Sequence, residues 1–196
     1  TNMFTFGIAA SSTGKESIQT AMIDLHRAAG ITAAVHGNIK SEQEITRNLI
    51  RHQCAFYIVD EVGILLSKIS NSAKSGASYL EGVIGLLMSA YGKSNGYLLI
   101  SGDLKEDIRS ELQKQLSHAK GKVADNEDPD GKFQERADKI VEQLDTLDDG
   151  LINPMLSLIG FTTPVTFDKL ITYEQATNGF VGRSLLVREH ETNPKE

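Results

Sequence analysis

Phe4-Thr5-Phe6-Gly7-Ile8-Ala9-Ala10-Ser11-Ser12-Thr13-Gly14-Lys15-Glu16 is the stretch on which the fold turns. Phe4–Ala10 is an apolar run that suits a buried strand, and Glu16–Ala29 suits a helix. Between them, residues 9–16 follow the phosphate-loop pattern G-x-x-x-x-G-K-[ST] with two letters changed. Ala9 replaces the first glycine, which is tolerable at negative φ. Glu16 replaces the hydroxyl that meets magnesium. In such a loop the N–H groups around Ser11, Ser12, Thr13 and Gly14, with the helix N-terminus behind them, form an anion nest. Lys15 then supplies a point charge to the β- and γ-phosphates. Glu16 could still approach Mg²⁺ as a hard oxygen ligand, but it adds negative charge beside the phosphates, and Ser17 sits one residue late. The alternative reading is a tight strand-to-helix turn with an exposed lysine.

Working outward, alternation of strand and helix continues. Ile18, Met22 and Leu25 give the first helix an apolar face, and Gly30 is a C-terminal stop. Ile31–Val35 is a short strand candidate. Ser41 with Glu44 has capping-box spacing before Ile45, Leu49 and Ile50. Ala55–Val59 is a β-rich run that ends at Asp60-Glu61. This alternation predicts βαβ units and a parallel-rich sheet flanked by helices. Ser67–Ser78 reads as a mobile loop, Tyr79–Tyr91 as a helix and Tyr97–Ser101 as a short strand. Two helical segments follow, with Leu104, Ile108, Leu112 and Leu116 in one and Phe133, Ala137, Ile140, Leu144 and Leu147 in the other. The turn-rich segment Gly121–Gly131 joins them. Residues 103–149 are therefore expected to form a helical hairpin inserted into one α/β domain spanning 1–196, its stripe being chiefly the seam between its own helices. Leu151–Phe161 is a strand candidate interrupted by Asn153-Pro154, Thr162-Thr163-Pro164 opens a helix, and Ser184–Val187 is a last strand.

Composition narrows the function. With 196 residues, 40% hydrophobic and 23% charged, the chain matches an ordinary globular domain. A net charge of −6 argues against a broadly basic nucleic-acid surface, though not against a local basic loop. No apolar run is long enough for a membrane span. The single cysteine, Cys54, excludes an internal disulfide framework and fits a reducing, cytoplasmic setting. The start on an apolar strand and the polar end suggest a domain cut from a longer protein.

Asp60-Glu61 is the second chemical feature. A carboxylate at the tip of a buried strand can direct Mg²⁺, and the adjacent glutamate can act as general base toward water. Arg183 could reach a γ-phosphate, in cis or from a neighbouring subunit, or be an exposed arginine at a strand edge; Arg188 is a weaker candidate on the same strand. Asn153, Thr162 and Thr163 could polarise phosphate or water, or serve as turn and capping residues. The five histidines show no metal-ligand spacing.

The motifs S-S-T-G-K-E, G-N-I-K-S-E-Q-E-I, Y-I-V-D-E-V-G, I-N-P-M-L-S-L-I-G-F-T-T-P and G-F-V-G-R-S-L-L-V, in this order, resemble the helicase-like ATPase domain of phage and mobile-element replication proteins. That family belongs to the RecA-like branch of P-loop ATPases and often follows a primase domain. The resemblance covers most of the chain outside residues 103–149. It implies a RecA-like core in a six-membered ring that binds ATP and Mg²⁺ between subunits and moves on single-stranded DNA. By position, Lys15 would be the phosphate-loop lysine, Asp60 the magnesium-directing carboxylate, Glu61 the catalytic base and Arg183 a candidate arginine finger. Two other expectations stand beside a DNA helicase: a nucleotide-binding scaffold or assembly module with little turnover, and, more weakly, a small-molecule kinase. Strand contacts would come from Lys68–Lys74 or Lys120–Lys132.

Overall fold

Five strands assemble into one parallel sheet because helices connect them and return the chain to the same end. The computed structural model describes residues 2–11, 14–67, 81–170 and 179–189. In chain order they form β1 (Phe4–Ile8), α1 (Lys15–Ala28), β2 (Val35–His36), α2 (Glu42–His52), β3 (Cys54–Val59), a helical turn at 62–67, α3 (Glu81–Gly92), β4 (Tyr97–Leu98), α4 (Gly102–Ala124), α5 (Lys132–Asp149), β5 (Leu151–Ile152), β6 (Met155–Thr162), α6 (Pro164–Leu170) and β7 (Ser184–Arg188). The central sheet runs β2-β3-β6-β1-β7 and is parallel throughout. The expected α/β class, with helices around a parallel sheet, is what the chain adopts.

Register assigns the side chains to two faces. Phe4, Phe6 and Ile8 align with Leu158, Gly160 and Thr162, and Tyr57 and Val59 align with Leu158 and Gly160. This face carries the main core, in which Ile45 and Leu49 of α2, Val83 and Leu87 of α3 and Phe167 of α6 are buried against it. Gly160 is required there, because a Cβ would lie 2.6 Å from Val62. The other face, with Phe56 and Phe161, is covered by α1: the His26 ring meets Phe56 edge-on at 4.6 Å.

Local signals explain most boundaries. Ser41 Oγ accepts the Glu44 N–H at 3.2 Å, as the capping spacing predicts. The reciprocal bond differs, because Glu44 Oε2 accepts from the Lys40 N–H rather than that of Ser41. Gly30, at φ +73°, closes α1 with paired bonds from Gly30 N–H to Arg27 O and from Ile31 N–H to His26 O. Thr163 Oγ1 caps α6, with Pro164 at its first position.

Four expectations change. Of Ile18, Met22 and Leu25, only Met22 lies on the inward side of α1, half-buried one turn before His26. Ile18 and Leu25 are 54% and 65% exposed, and His26 is the buried residue. The ring can turn inward because its Nδ1 bonds Met22 O at 2.6 Å. Ile31–Val35 is mostly a 3-10 turn, Thr32–Ala34, ahead of the two-residue β2. Leu151–Phe161 is two strands in two sheets: Asn153, at φ +50°, breaks the run, and β5 pairs antiparallel with β4. Helix α4 continues through Gly121 to Ala124, so the connecting turn is shorter. The hairpin α4–α5 rises from the small β4–β5 ribbon, and its stripe does more than seal its own seam. Ile108, Leu112 and Ile140 join the main core cluster with Ile45 and Leu49 of α2. The loop expected at Ser67–Ser78 and the helix start at Tyr79–Leu80 lie outside the described residues, apart from Ser67, which ends the 62–67 turn.

Candidate functional site

Parallel strands bring all their carboxyl ends to one edge, and the segments that leave that edge depart to different faces. From β1 the chain passes to α1, on the Phe56 face. From its neighbour β6 it passes to α6, whose Phe167 joins the core on the opposite face. Adjacent strands whose continuations part in this way open a crevice, the usual place for a ligand in an open α/β sheet. Ile8 pairs with Thr162 there, and the Ala9 N–H bonds Thr162 O at 3.1 Å.

The loop that carries Lys15 leaves from this crevice. Gly14 has φ +81°, and a Cβ there would meet nothing within 4 Å, so glycine is needed for conformation rather than space. Helix α1 starts at Lys15 with no side-chain cap from Gly14. The Ser17 N–H bonds Gly14 O at 3.0 Å, and the helix dipole favours an anion at this end of α1. Lys15 is half-buried and donates from Nζ to Ala9 O at 3.3 Å, folding its ammonium back across the mouth of its own loop. Ser11, Glu16 and Ser17 are exposed; Ser12 and Thr13 lie outside the described residues.

Asp60 and Glu61 leave β3 at the same edge, on the other side of β6. Val59 pairs with Gly160, which places the two strand tips about 10 Å apart, two strand spacings. Glu61 holds a left-handed φ of +51°, uncommon for a side chain with a Cβ and costing on the order of 1 kcal/mol. Its N–H bonds Asp60 Oδ1 at 3.0 Å, and its carbonyl accepts from the Ile64 N–H at 2.8 Å as the 62–67 turn begins. Asp60 is exposed and Glu61 half-buried. No group of three or more His, Cys, Asp or Glu side chains suited to a metal occurs among the described residues. Asp60 and Glu16 could hold Mg²⁺ only together with phosphate oxygens and water, which is how that ion is commonly bound.

Between the two tips lies Thr162, fully buried, its Oγ1 without a hydrogen-bond partner among the described residues. Such a hydroxyl costs about 1–3 kcal/mol unless something supplies a bond. Thr163 beside it is committed to capping α6. Asn153 lies at the other end of β6, away from this edge.

Arg183 is not brought to the crevice within its own chain. Ser184 pairs with Phe4 at the amino end of the sheet, so Arg183 stands about 16 Å from the carboxyl edge. Its guanidinium donates to Gly179 O at 2.9 Å. Any contact with a γ-phosphate would have to be made across a subunit boundary. Arg188 is the arginine of that strand at the carboxyl edge: it pairs with Ile8 in register and holds Asp168 through two bonds of 3.1 Å. Spacing alone could not rank the two, because only the register of β7 against β1 says which end each occupies.

Cys54 is free and half-buried, and burial pushes its thiol pKa up, away from reactivity. Of the loops expected to touch a strand of nucleic acid, Lys68–Lys74 lies outside the described residues. In the Lys120–Lys132 segment, Lys122 pairs with Glu127 and Lys132 with Asp130. No helix among the described residues is long and apolar enough to cross a membrane. Comparison of the chain with protein-family models, with curated proteins and with solved structures finds no match.

Proposed function

We propose that this chain is the ATP-binding and hydrolysing core of a DNA-dependent motor of the RecA-like, replication-helicase type. The observation that carries the reading is the crevice between β1 and β6. It gathers at one sheet edge a glycine-led helix start with Lys15, a buried unpartnered hydroxyl at Thr162, and the Asp60-Glu61 pair one strand beyond. A triphosphate there would have its charge met by Lys15 and the α1 amides. Asp60 would direct Mg²⁺, Glu61 would take the proton of the attacking water, and Thr162 would donate to a phosphate oxygen or that water. Arg183 would serve only from a neighbouring subunit, which fits the ring assembly that the resemblance implies.

Phosphate release by the purified chain with ATP and Mg²⁺, with and without single-stranded DNA, tests this reading. A slow basal rate that DNA stimulates is expected, with Glu61→Gln abolishing turnover while ATP still binds. The second reading, a nucleotide-binding scaffold with little turnover, is favoured by Glu16, whose exposed carboxylate stands in the first turn of α1 where a hydroxyl would serve Mg²⁺ better. ATP binding that changes the mass seen by light scattering, without phosphate release, would select the scaffold. No ATP binding at all would remove both.

A further inference from the structure

The hairpin and α2 enclose a second feature, at the other end of the sheet. A cleft of about 1010 Å³ lies between the C-terminal turn of α2 and the two hairpin helices, with Arg51, Arg136, Lys139, Gln115 and Gln143 among its lining and Glu142 as its acid. Arg51 lies three residues before the start of β3, whereas Asp60 follows its end, so the cleft is separated from the crevice by about 20 Å of strand.

Its charge is unusual for this molecule. The chain carries −6 overall, and its other hairpin cations are largely matched: Lys105 and Arg109 with Asp148, Lys122 with Glu127, Lys132 with Asp130. Arg51 and Arg136 are exposed and form no ion pair among the described residues. Arg51 suits the negative end of the α2 dipole. That does not account for Arg136, which comes from the body of α5, more than eighty positions along the chain; Lys139 beside it is paired with Glu135. In the adjoining small cavity, Arg47 reaches Glu111 at 2.6 Å but leaves its buried Nε without a partner. His52 adds no charge near neutrality, since burial, and then Arg51, lowers its pKa.

We propose that this cleft binds the backbone of single-stranded nucleic acid. The volume is at the upper end of small-molecule pockets, roughly 300–1,000 Å³, and the lining mixes cations and amides with an apolar part that includes Ile50 and Ile140. That composition suits an extended polyanion. Guanidinium groups bond phosphate in a bidentate manner and stack on unpaired bases, while glutamine amides offer both donor and acceptor to base edges. A recess between helices admits a flexible strand, whereas a rigid duplex could present phosphates only to its rim. The proposal concerns the nucleic-acid partner of the motor reading, yet it rests on different residues and can stand or fall separately.

The test is fluorescence anisotropy of a labelled oligo(dT) of about 15 nucleotides, a length within the usual single-strand site sizes, without any nucleoside triphosphate. The wild-type chain should bind at low salt with a log–log salt slope of roughly −2, as about three phosphate contacts to a single strand give. Arg51→Gln combined with Arg136→Gln should weaken binding about tenfold and bring the slope to about −1. Arg51→Lys with Arg136→Lys should restore the salt slope, which counts charges, and part of the affinity, which a folding defect would not allow. Lys15→Ala should bind as wild type, which separates failure of the ATP site from failure of this one. Unchanged affinity and slope in the glutamine variant, no recovery by lysine, or equal binding of duplex DNA or polyglutamate would overturn the assignment.

Discussion

The two ends of the central sheet treat a buried polar side chain in opposite ways. At the amino end, Asn2 is 3% exposed and bonded on both sides of its amide: Nδ2 donates to Ala90 O at 2.6 Å and Pro154 O at 3.0 Å, and Oδ1 accepts from the Leu156 N–H at 2.8 Å. It ties the start of β1 to α3 and β6. At the carboxyl end, Thr162 is buried as completely, yet its hydroxyl is unmatched, and Glu61 beside it holds a left-handed backbone. A satisfied buried group specifies structure. An unsatisfied one, next to a strained residue and a glycine-led helix start, lowers stability where a ligand could restore it.

Lys15→Ala would break this comparison most directly. It should lower ATP turnover by at least about a hundredfold, equivalent to nearly 3 kcal/mol, while leaving the thermal transition nearly unchanged, since the lysine makes only one bond of 3.3 Å to its own loop. A large fall in stability with normal turnover would make the lysine structural. Asn2→Ala should do the reverse at the other end, costing about 3 kcal/mol in urea unfolding by removing three buried bonds, those of Pro154 O, the Leu156 N–H and Ala90 O, the last of which keeps the Lys93 N–H, with no effect on ATP affinity in the folded protein. Thr162→Val sharpens the contrast. Removing an unmatched hydroxyl at constant shape should leave stability unchanged or raise it by about 1 kcal/mol, while turnover falls roughly tenfold. If stability drops, Thr162 has a structural partner and the two ends are alike.

The smallest effect concerns pH, at β2, midway between the ends. Burial, opposed by Glu44 and aided by His52 and Arg51, lowers the His36 pKa from its ordinary 6.5, and His52 is lowered as well. A histidine whose folded pKa is depressed takes up protons more readily when unfolded, so its contribution is present above about 6.5 and lost as pH falls. The melting temperature should decline from pH 7.5 to about 5.5, and His36→Gln should make the decline shallower.

Much of this was legible in the sequence. β1, β3 and α2 could be read because their apolar spacing and the Ser41 cap are local, and the crevice residues Lys15 and Asp60 could be read because their motifs sit at strand ends. The inward face of α1 could not. Ile18 and Leu25 are more apolar than His26, but the sheet beneath offers Phe56 to a ring whose Nδ1 is already bonded. The break of Leu151–Phe161 at Asn153 was readable, but the pairing of its first piece with β4 in a second sheet was not, since hydropathy does not specify strand partners. The cleft beside α5 was invisible, since Arg51 and Arg136 are unremarkable until packing sets them against each other.

The sequence by itself determined the α/β class and placed Lys15 and Asp60 at strand ends, because periodicity, capping and loop chemistry act over a few residues. Only the tertiary structure decided that β6 lies between β1 and β3, that Thr162 is buried between their tips, and that Arg188 rather than Arg183 shares their edge. Strand order and register arise from burying both faces of one sheet at once, a condition on the whole chain that no single segment carries.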